Sequence, residues 1–224
     1  MQNIQQICQT LYDKFGPQGW WPLIRNSSVV HNARFTNKKL TSKEQFEITI
    51  GAILTQNTAW TNVEKALLVL HKNKALTKAT MQKMPKEKLA SLIRPAGYYN
   101  QKARKLKGLI KFLNSKKAVT RENLLNIWGI GPETADSILC YVYNQPVFVV
   151  DAYTKRIFSK LGFAELEYEQ LQGLVHKNLT PENYKEFHAL LVKLGKEYCK
   201  KNKPKCSVCP INKPCAHPIR YNHT

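Results

Sequence analysis

The stretch Leu124-Leu125-Asn126-Ile127-Trp128-Gly129-Ile130-Gly131-Pro132-Glu133-Thr134-Ala135 decides how this chain reads. Apolar residues at helical spacing lie on both sides of it, over 123–127 and 134–143, and a Gly-x-Gly turn separates them. Glycine lets the backbone turn tightly and approach another molecule closely. Pro132 suits the first position of a helix. The free N–H groups at that helix start point outward beside the turn, where the positive helix end favours an anion such as a phosphate. The predicted unit is a helix-hairpin-helix over about residues 120–143, with Gly129, Gly131 and Thr134 as candidate DNA contacts. Taken alone, a Gly-x-Gly turn serves equally well as a plain connection between helices.

Outward from this stretch the chain reads as all-α. Helical spacing of apolar residues recurs over 46–54, 63–70, 89–93, 103–113, 154–161, 171–179 and 183–198. No long alternating stretch argues for a sheet, and nothing repeats at a fixed period. Residues 26–43 are polar with little periodicity and read as a loop or insertion. No apolar run is long enough to cross a bilayer, so no membrane partner is expected. The first 13 residues are polar and mixed, unlike a signal peptide, which predicts a cytoplasmic protein. A monomer is expected.

The charge points to a partner. Lys plus Arg is 35 and Asp plus Glu is 15, a formal net charge of +20. Basic side chains displace condensed counterions from phosphates, so a polyanion such as double-stranded DNA is the natural partner. A merely solvated basic surface is the bland alternative.

Four of the six cysteines, Cys199, Cys206, Cys209 and Cys215, follow the spacing C-x6-C-x2-C-x5-C. Thiolates clustered on a short segment suit a sulfur-preferring metal, either zinc or an iron–sulfur cluster. Zinc sites usually set two close pairs across a longer loop, whereas only Cys206 and Cys209 form a close pair here. Cys8 and Cys140 stand singly among apolar residues and read as buried small hydrophobes. A further candidate, Asp151, directly follows the apolar run Val147-Phe148-Val149-Val150. It either caps the helix that begins after it or does chemical work. The stretch by itself favours the cap.

Hairpin, aspartate and four-cysteine tail stand in the order found in endonuclease III-like DNA glycosylases, and the chain resembles that family from about Phe46 to Cys215. The resemblance implies two helical domains with a cleft between them. The first is a helical barrel over 37–145 that includes the hairpin. The second joins 1–36 to 146–224 and holds a [4Fe–4S] cluster on Cys199, Cys206, Cys209 and Cys215. It also implies that Asp151 is the catalytic carboxylate, placed at the cleft mouth, and that a damaged nucleotide rotates out of the duplex into the cleft. Bifunctional members carry a lysine nucleophile two residues after the second hairpin glycine; the matching residue here is Glu133, which cannot form an imine. Gln56, in Thr55-Gln56-Asn57-Thr58, matches the residue that fills the hole left by the flipped nucleotide. Adenine-mismatch members carry a glutamate where this chain has Ala52.

Trp20-Trp21-Pro22, Gln56-Asn57-Thr58 and Tyr99-Asn100-Gln101-Lys102-Ala103 together look most like the branch that contains 3-methyladenine DNA glycosylase III and archaeal uracil-excising relatives. Trp20, Trp21 and Trp60 are then candidate walls of a base pocket, since aromatic faces suit a cationic alkylated purine. Paired tryptophans are equally common in cores, and Trp60 fits either place. The expectation is therefore a base-excision-repair N-glycosylase without lyase activity, acting on alkylated purines or uracil. The rival readings are a bifunctional glycosylase/lyase of the endonuclease III type and a non-catalytic helix-hairpin-helix DNA-binding protein.

Overall fold

A computed structural model describes residues 3–31 and 39–216. Its described residues fall into two compact units, one of residues 3–20 with 146–216 and one of 21–31 with 39–145. The fold is all-α apart from one small hairpin. Among the described residues no helix is long and apolar enough to cross a membrane.

In the second unit, strands β1 (Leu23–Arg25) and β2 (Ser28–Val30) pair antiparallel, Ile24 opposite Val29. Asn26 and Ser27 form the two-residue turn with φ of 48° and 60°, the left-handed pair that matches the twist of a hairpin. The all-α reading stands with this one small hairpin; what the structure corrects is the loop expected over 26–43, whose residues 28–30 form β2 and whose Ser42 and Lys43 open the next helix. Three-residue strands are too short for alternation to show. Residues 32–38 of that expected loop lie outside the described residues.

Helix α2 (Ser42–Leu54) starts in a capping box: Glu44 Oε2 accepts from the Thr41 N–H at 2.6 Å, and Thr41 Oγ1 accepts from the Glu44 N–H at 3.3 Å. Glu44 also pairs with Arg25. One turn on, Glu47 Oε1 accepts from the Ile24 N–H at 2.6 Å, which seats β1 on the helix. Phe46 to Leu54 is buried on every face, as expected for a helix with apolar residues all round. Around it lie α3 (Trp60–Lys72), α6 (Tyr99–Asn114) and α8 (Pro132–Tyr143), with α4 (Lys78–Lys83) and α5 (Lys86–Leu92) against α6 and α7 (Arg121–Leu125) against α8. Short α4 was not foreseen. Lys102 of α6 is only 1% exposed, yet its Nζ donates to the carbonyls of Leu54 at 2.9 Å and Ala96 at 2.8 Å. It ties the end of α2 to the turn that precedes α6.

The first unit packs α1 (Ile4–Phe15), α9 (Ala152–Lys160), α10 (Tyr168–Asn178) and α11 (Tyr184–Glu197) around Phe148, Phe158, Phe187 and Leu191. Helix α1 lies in the stretch read as merely polar. Its buried stripe, Ile4, Ile7 and Leu11, keeps helical spacing, and Asn3 caps it by accepting from the Gln6 N–H at 3.0 Å. Where α9 meets α11, a β-carbon on Gly195 would stand 2.3 Å from the Tyr153 ring and 3.0 Å from the Arg156 guanidinium.

Two measurements check this account. Gly→Ala inside a helix normally gains about 1 kcal/mol from propensity, but overpacking costs about 1–3 kcal/mol. At a 2.3 Å approach the clash wins, so Gly195→Ala lowers unfolding free energy in a denaturant titration; a stabilised variant would contradict the packing. For Lys102, burial, and secondarily the charge of Lys105, pulls the pKa from 10.5 down to about 8. The folded chain releases this proton before the unfolded chain does, so stability rises with pH between those two values. Wild type therefore gains on Lys102→Met across that window. A constant difference between the two proteins would place the Lys102 pKa at its ordinary value.

Candidate active site and nucleic-acid interface

The hairpin is built by the second unit alone. Gly129 has φ of +80°, and a β-carbon there would lie 2.5 Å from the Lys105 side chain. Both the turn and the aliphatic stem beneath it therefore demand glycine. Gly131 precedes α8 with no side-chain cap, and a β-carbon on it would meet nothing within 4 Å. The start of α8 thus carries no side-chain cap and has open space beside Gly131, which leaves room for a phosphate. Glu133 lies exposed in the first turn of α8. The flanking helices are pinned by Arg121 Nε, which donates at 2.8 Å to Asp136, a fully buried carboxylate.

Gln56 and Thr134 join this construction. Gln56 Nε2 donates to the Gly129 carbonyl at 3.0 Å and to Thr134 Oγ1 at 2.9 Å, while its Oε1 accepts from Lys105 Nζ. Thr134 is 6% exposed, so its hydroxyl serves this bond more than the surface. Sequence reasoning missed Lys105, although its place one turn beyond Lys102 on the same helix is a usable signal. It also missed Arg104, whose guanidinium lies 3.9 Å from the centre of the Trp128 ring, on a tryptophan that is half exposed beside the hairpin glycines.

Asp151 is held in the first unit. It precedes α9, and its Oδ1 accepts from the Thr154 N–H at 2.7 Å, so the cap is real. Its Oδ2 lies 3.6 Å from Nε2 of His188 on α11, and the two side chains are 13% and 7% exposed. Burial pushes the Asp151 carboxyl up, but the adjacent His188 and the hydrogen bond from the Thr154 N–H outweigh it and hold the pKa below the usual range. His188 was not foreseen; one histidine on an apolar helix face reads as core. Arg156, a turn further along α9, donates to the carbonyls of Cys199 at 2.9 Å and Gly195 at 3.1 Å. That ties the Asp151 helix to the cysteine loop.

The loop winds through short turns, with Cys209 N–H donating to Cys206 O at 3.2 Å and Cys215 N–H to Asn212 O at 3.2 Å. Cys199, Cys206, Cys209 and Cys215 line one cavity of about 310 Å³, together with Arg156 and Lys160. Among the described residues no three His, Cys, Asp or Glu side chains converge on a single ion position. Burial pushes the Cys209 thiol up to about 11, helped by the three neighbouring cysteines, so a cationic group is needed to keep these sulfurs ionised.

The three tryptophans are divided. Trp21 is 7% exposed and stands edge-on to Trp60 at 5.5 Å and to Tyr141 at 5.4 Å, with Gly51 beneath its indole. Trp60 is half-buried, and its Nε1 donates to Glu64 at 2.7 Å. Trp20 belongs to the other unit, where Lys196 Nζ lies 5.5 Å from its ring centre.

Comparison with known proteins places this arrangement. The HhH-GPD superfamily of base excision DNA repair proteins matches residues 50–181. A candidate DNA repair glycosylase of Methanocaldococcus jannaschii is 39% identical over 95% of this chain and 95% of its own length. The crystal structure of H. pylori 3-methyladenine DNA glycosylase bound to 1,N6-ethenoadenine superposes with a TM-score of 0.69 at 32% identity, covering 86% of this chain and 96% of that one. A non-covalent endonuclease III–DNA complex shares the fold, with a TM-score of 0.78 at 23% identity over 96% of this chain and 94% of its own. With the family matched over more than half of its length, and its helix-hairpin-helix in place, the chain belongs to the HhH-GPD superfamily of base excision DNA repair proteins and is a DNA glycosylase of that family.

Proposed function

We propose that this glycosylase is monofunctional and hydrolytic, releasing alkylated purines or uracil from duplex DNA. One observation carries the reading: the first turn of α8, where the bifunctional pattern needs an amine, presents Glu133. A carboxylate cannot condense with the sugar aldehyde, so water attacks in its place. Asp151 is the catalytic residue. Its carboxylate, kept ionised by its neighbours, stabilises the cationic sugar as the C1′–N bond breaks and takes the proton of the water that forms the new C1′–O bond. The base leaves with the glycosidic electron pair. The likeness to a 3-methyladenine glycosylase supports a flat, electron-poor base as substrate; of the three aromatics packed together, Trp21 and Tyr141 are buried in the core and only Trp60 is partly open. Gln56 is the residue for the hole left in the duplex, and the open start of α8 is the phosphate site.

The cysteine loop holds a [4Fe–4S] cluster in this reading. The four thiols border one cavity, and their spacing, one close pair with an outlier on either side instead of two close pairs, favours a multi-atom cluster over a single zinc. Bound there, the cluster would cross-link the loop through Cys199, Cys206, Cys209 and Cys215 and hold its lysines toward DNA.

Two experiments test these assignments. Incubated with duplexes carrying uracil, 3-methyladenine or 1,N6-ethenoadenine, wild type releases base and leaves abasic sites that break only with alkali. Asp151→Asn binds DNA but loses roughly 10²-fold or more in base release; full activity in that variant defeats the carboxylate assignment, and borohydride trapping of wild type defeats the hydrolytic one. Anaerobically purified protein is yellow-brown, absorbs broadly near about 400 nm and contains iron and sulfide. Zinc without iron overturns the cluster.

A further inference from the structure

We propose that His188 is a positioning residue for base release, clamping the Asp151 carboxylate from α11 so that it keeps one orientation toward the reacting sugar. The inference rests on the reading of Asp151 as catalytic. A helix cap restrains only one carboxylate oxygen: Oδ1 of Asp151 is held by the Thr154 N–H at 2.7 Å. Left so, Oδ2 swings about the side-chain torsion. The structure places His188 Nε2 3.6 Å from Oδ2, from a different helix. The imidazole is itself fixed, 7% exposed at its side chain, with the Phe148 ring set nearly perpendicular to it at 6.4 Å. The carboxylate therefore has a hydrogen bond at one oxygen and an ion-pair contact at the other, from two elements, while 13% of its side chain stays open.

The same contact sets when Asp151 ionises. The groups that hold its carboxyl low are His188 and Thr154, against the opposing effect of burial. Tyr153, from the same turn, also faces Asp151, whose charge helps raise the tyrosine pKa. Arg156 stands 5.0 Å from that tyrosine ring. With His188 removed, burial is opposed only by the cap, and the Asp151 pKa rises. The acid limb of the pH–rate profile, where the carboxylate is lost, then moves to higher pH.

The test compares wild type, His188→Ala and His188→Gln in single-turnover base release from about pH 3 to about pH 8 (about one unit below to about four units above the ordinary Asp value), on the uracil and 1,N6-ethenoadenine duplexes. Carbon-13 NMR follows the Asp151 carboxyl alongside, assigned with Asp151→Asn. His188→Ala is expected to lose roughly 10–10²-fold in rate, the scale of a misoriented catalytic group, with affinity for undamaged duplex unchanged. Its acid limb and its Asp151 titration both move up in pH. His188→Gln, which keeps an N–H donor and most of the volume, recovers part of the rate. If release depends on Asp151 but His188→Ala matches wild type in rate and acid limb, or its Asp151 titration stays in place, the proposal fails and the catalytic reading survives. If Asp151→Asn is fully active, the catalytic reading fails, whatever His188 does.

Discussion

A β-carbon at position 195 would sit 2.3 Å from the Tyr153 ring, and the unit that carries Asp151 is organised around that approach. Because Gly195 has no side chain, α9 lies against α11 closely enough for Arg156 to reach the carbonyls of Gly195 and Cys199. The same crossing brings His188 to Asp151. One missing methyl group thus serves two ends of the crossing, the carboxylate at the start of α9 and the cysteine loop after α11. Loosening the helices would cost the Arg156 bonds and the grip on Oδ2 together, since both are spans between the same two rods.

The second unit solves a comparable problem with a buried cation. The last carbonyls of a helix have no partners within it, and α2 ends inside the protein. Lys102 supplies the partner at Leu54 and joins it to Ala96. Burying that ammonium is costly, as its pKa of about 8 records. The return is geometric: the residues just past α2, including Gln56, stand at a set distance from α6, so Lys105 can meet Gln56 and Gln56 can brace Gly129 and Thr134. The hairpin's shape is held by side chains from α6 and from the turn after α2, and no side chain caps the start of α8.

What was legible in the sequence follows the range of each interaction. Most helices show in the local pattern because burial of one face imposes spacing within a dozen residues, and the Gly-x-Gly turn shows because φ of +80° at Gly129 restricts the residue type. The hairpin at 23–30 escaped because two three-residue strands impose no readable period. Helix α1 was legible in principle from Ile4, Ile7 and Leu11, but its polar majority hid the narrow stripe. His188 and Arg156 were not legible at all. Their partners lie 37 and 43 positions away in the chain, and nothing local distinguishes a histidine that holds a carboxylate from one that fills a core.

The two sequence readings of Asp151, cap or catalyst, turn out to be one physical arrangement. A carboxylate at a helix start accepts from backbone N–H groups and lies at the positive end of the helix dipole. Both effects favour the ionised form, and here they act with His188 against burial. A group meant to stabilise a developing cation needs this combination: ionised, fixed in direction, and shielded enough that water does not weaken its field. The cap is the means by which a carboxylate following four apolar residues stays charged. Capping alone would be served as well by serine or asparagine; neither would carry the charge against which His188 is placed.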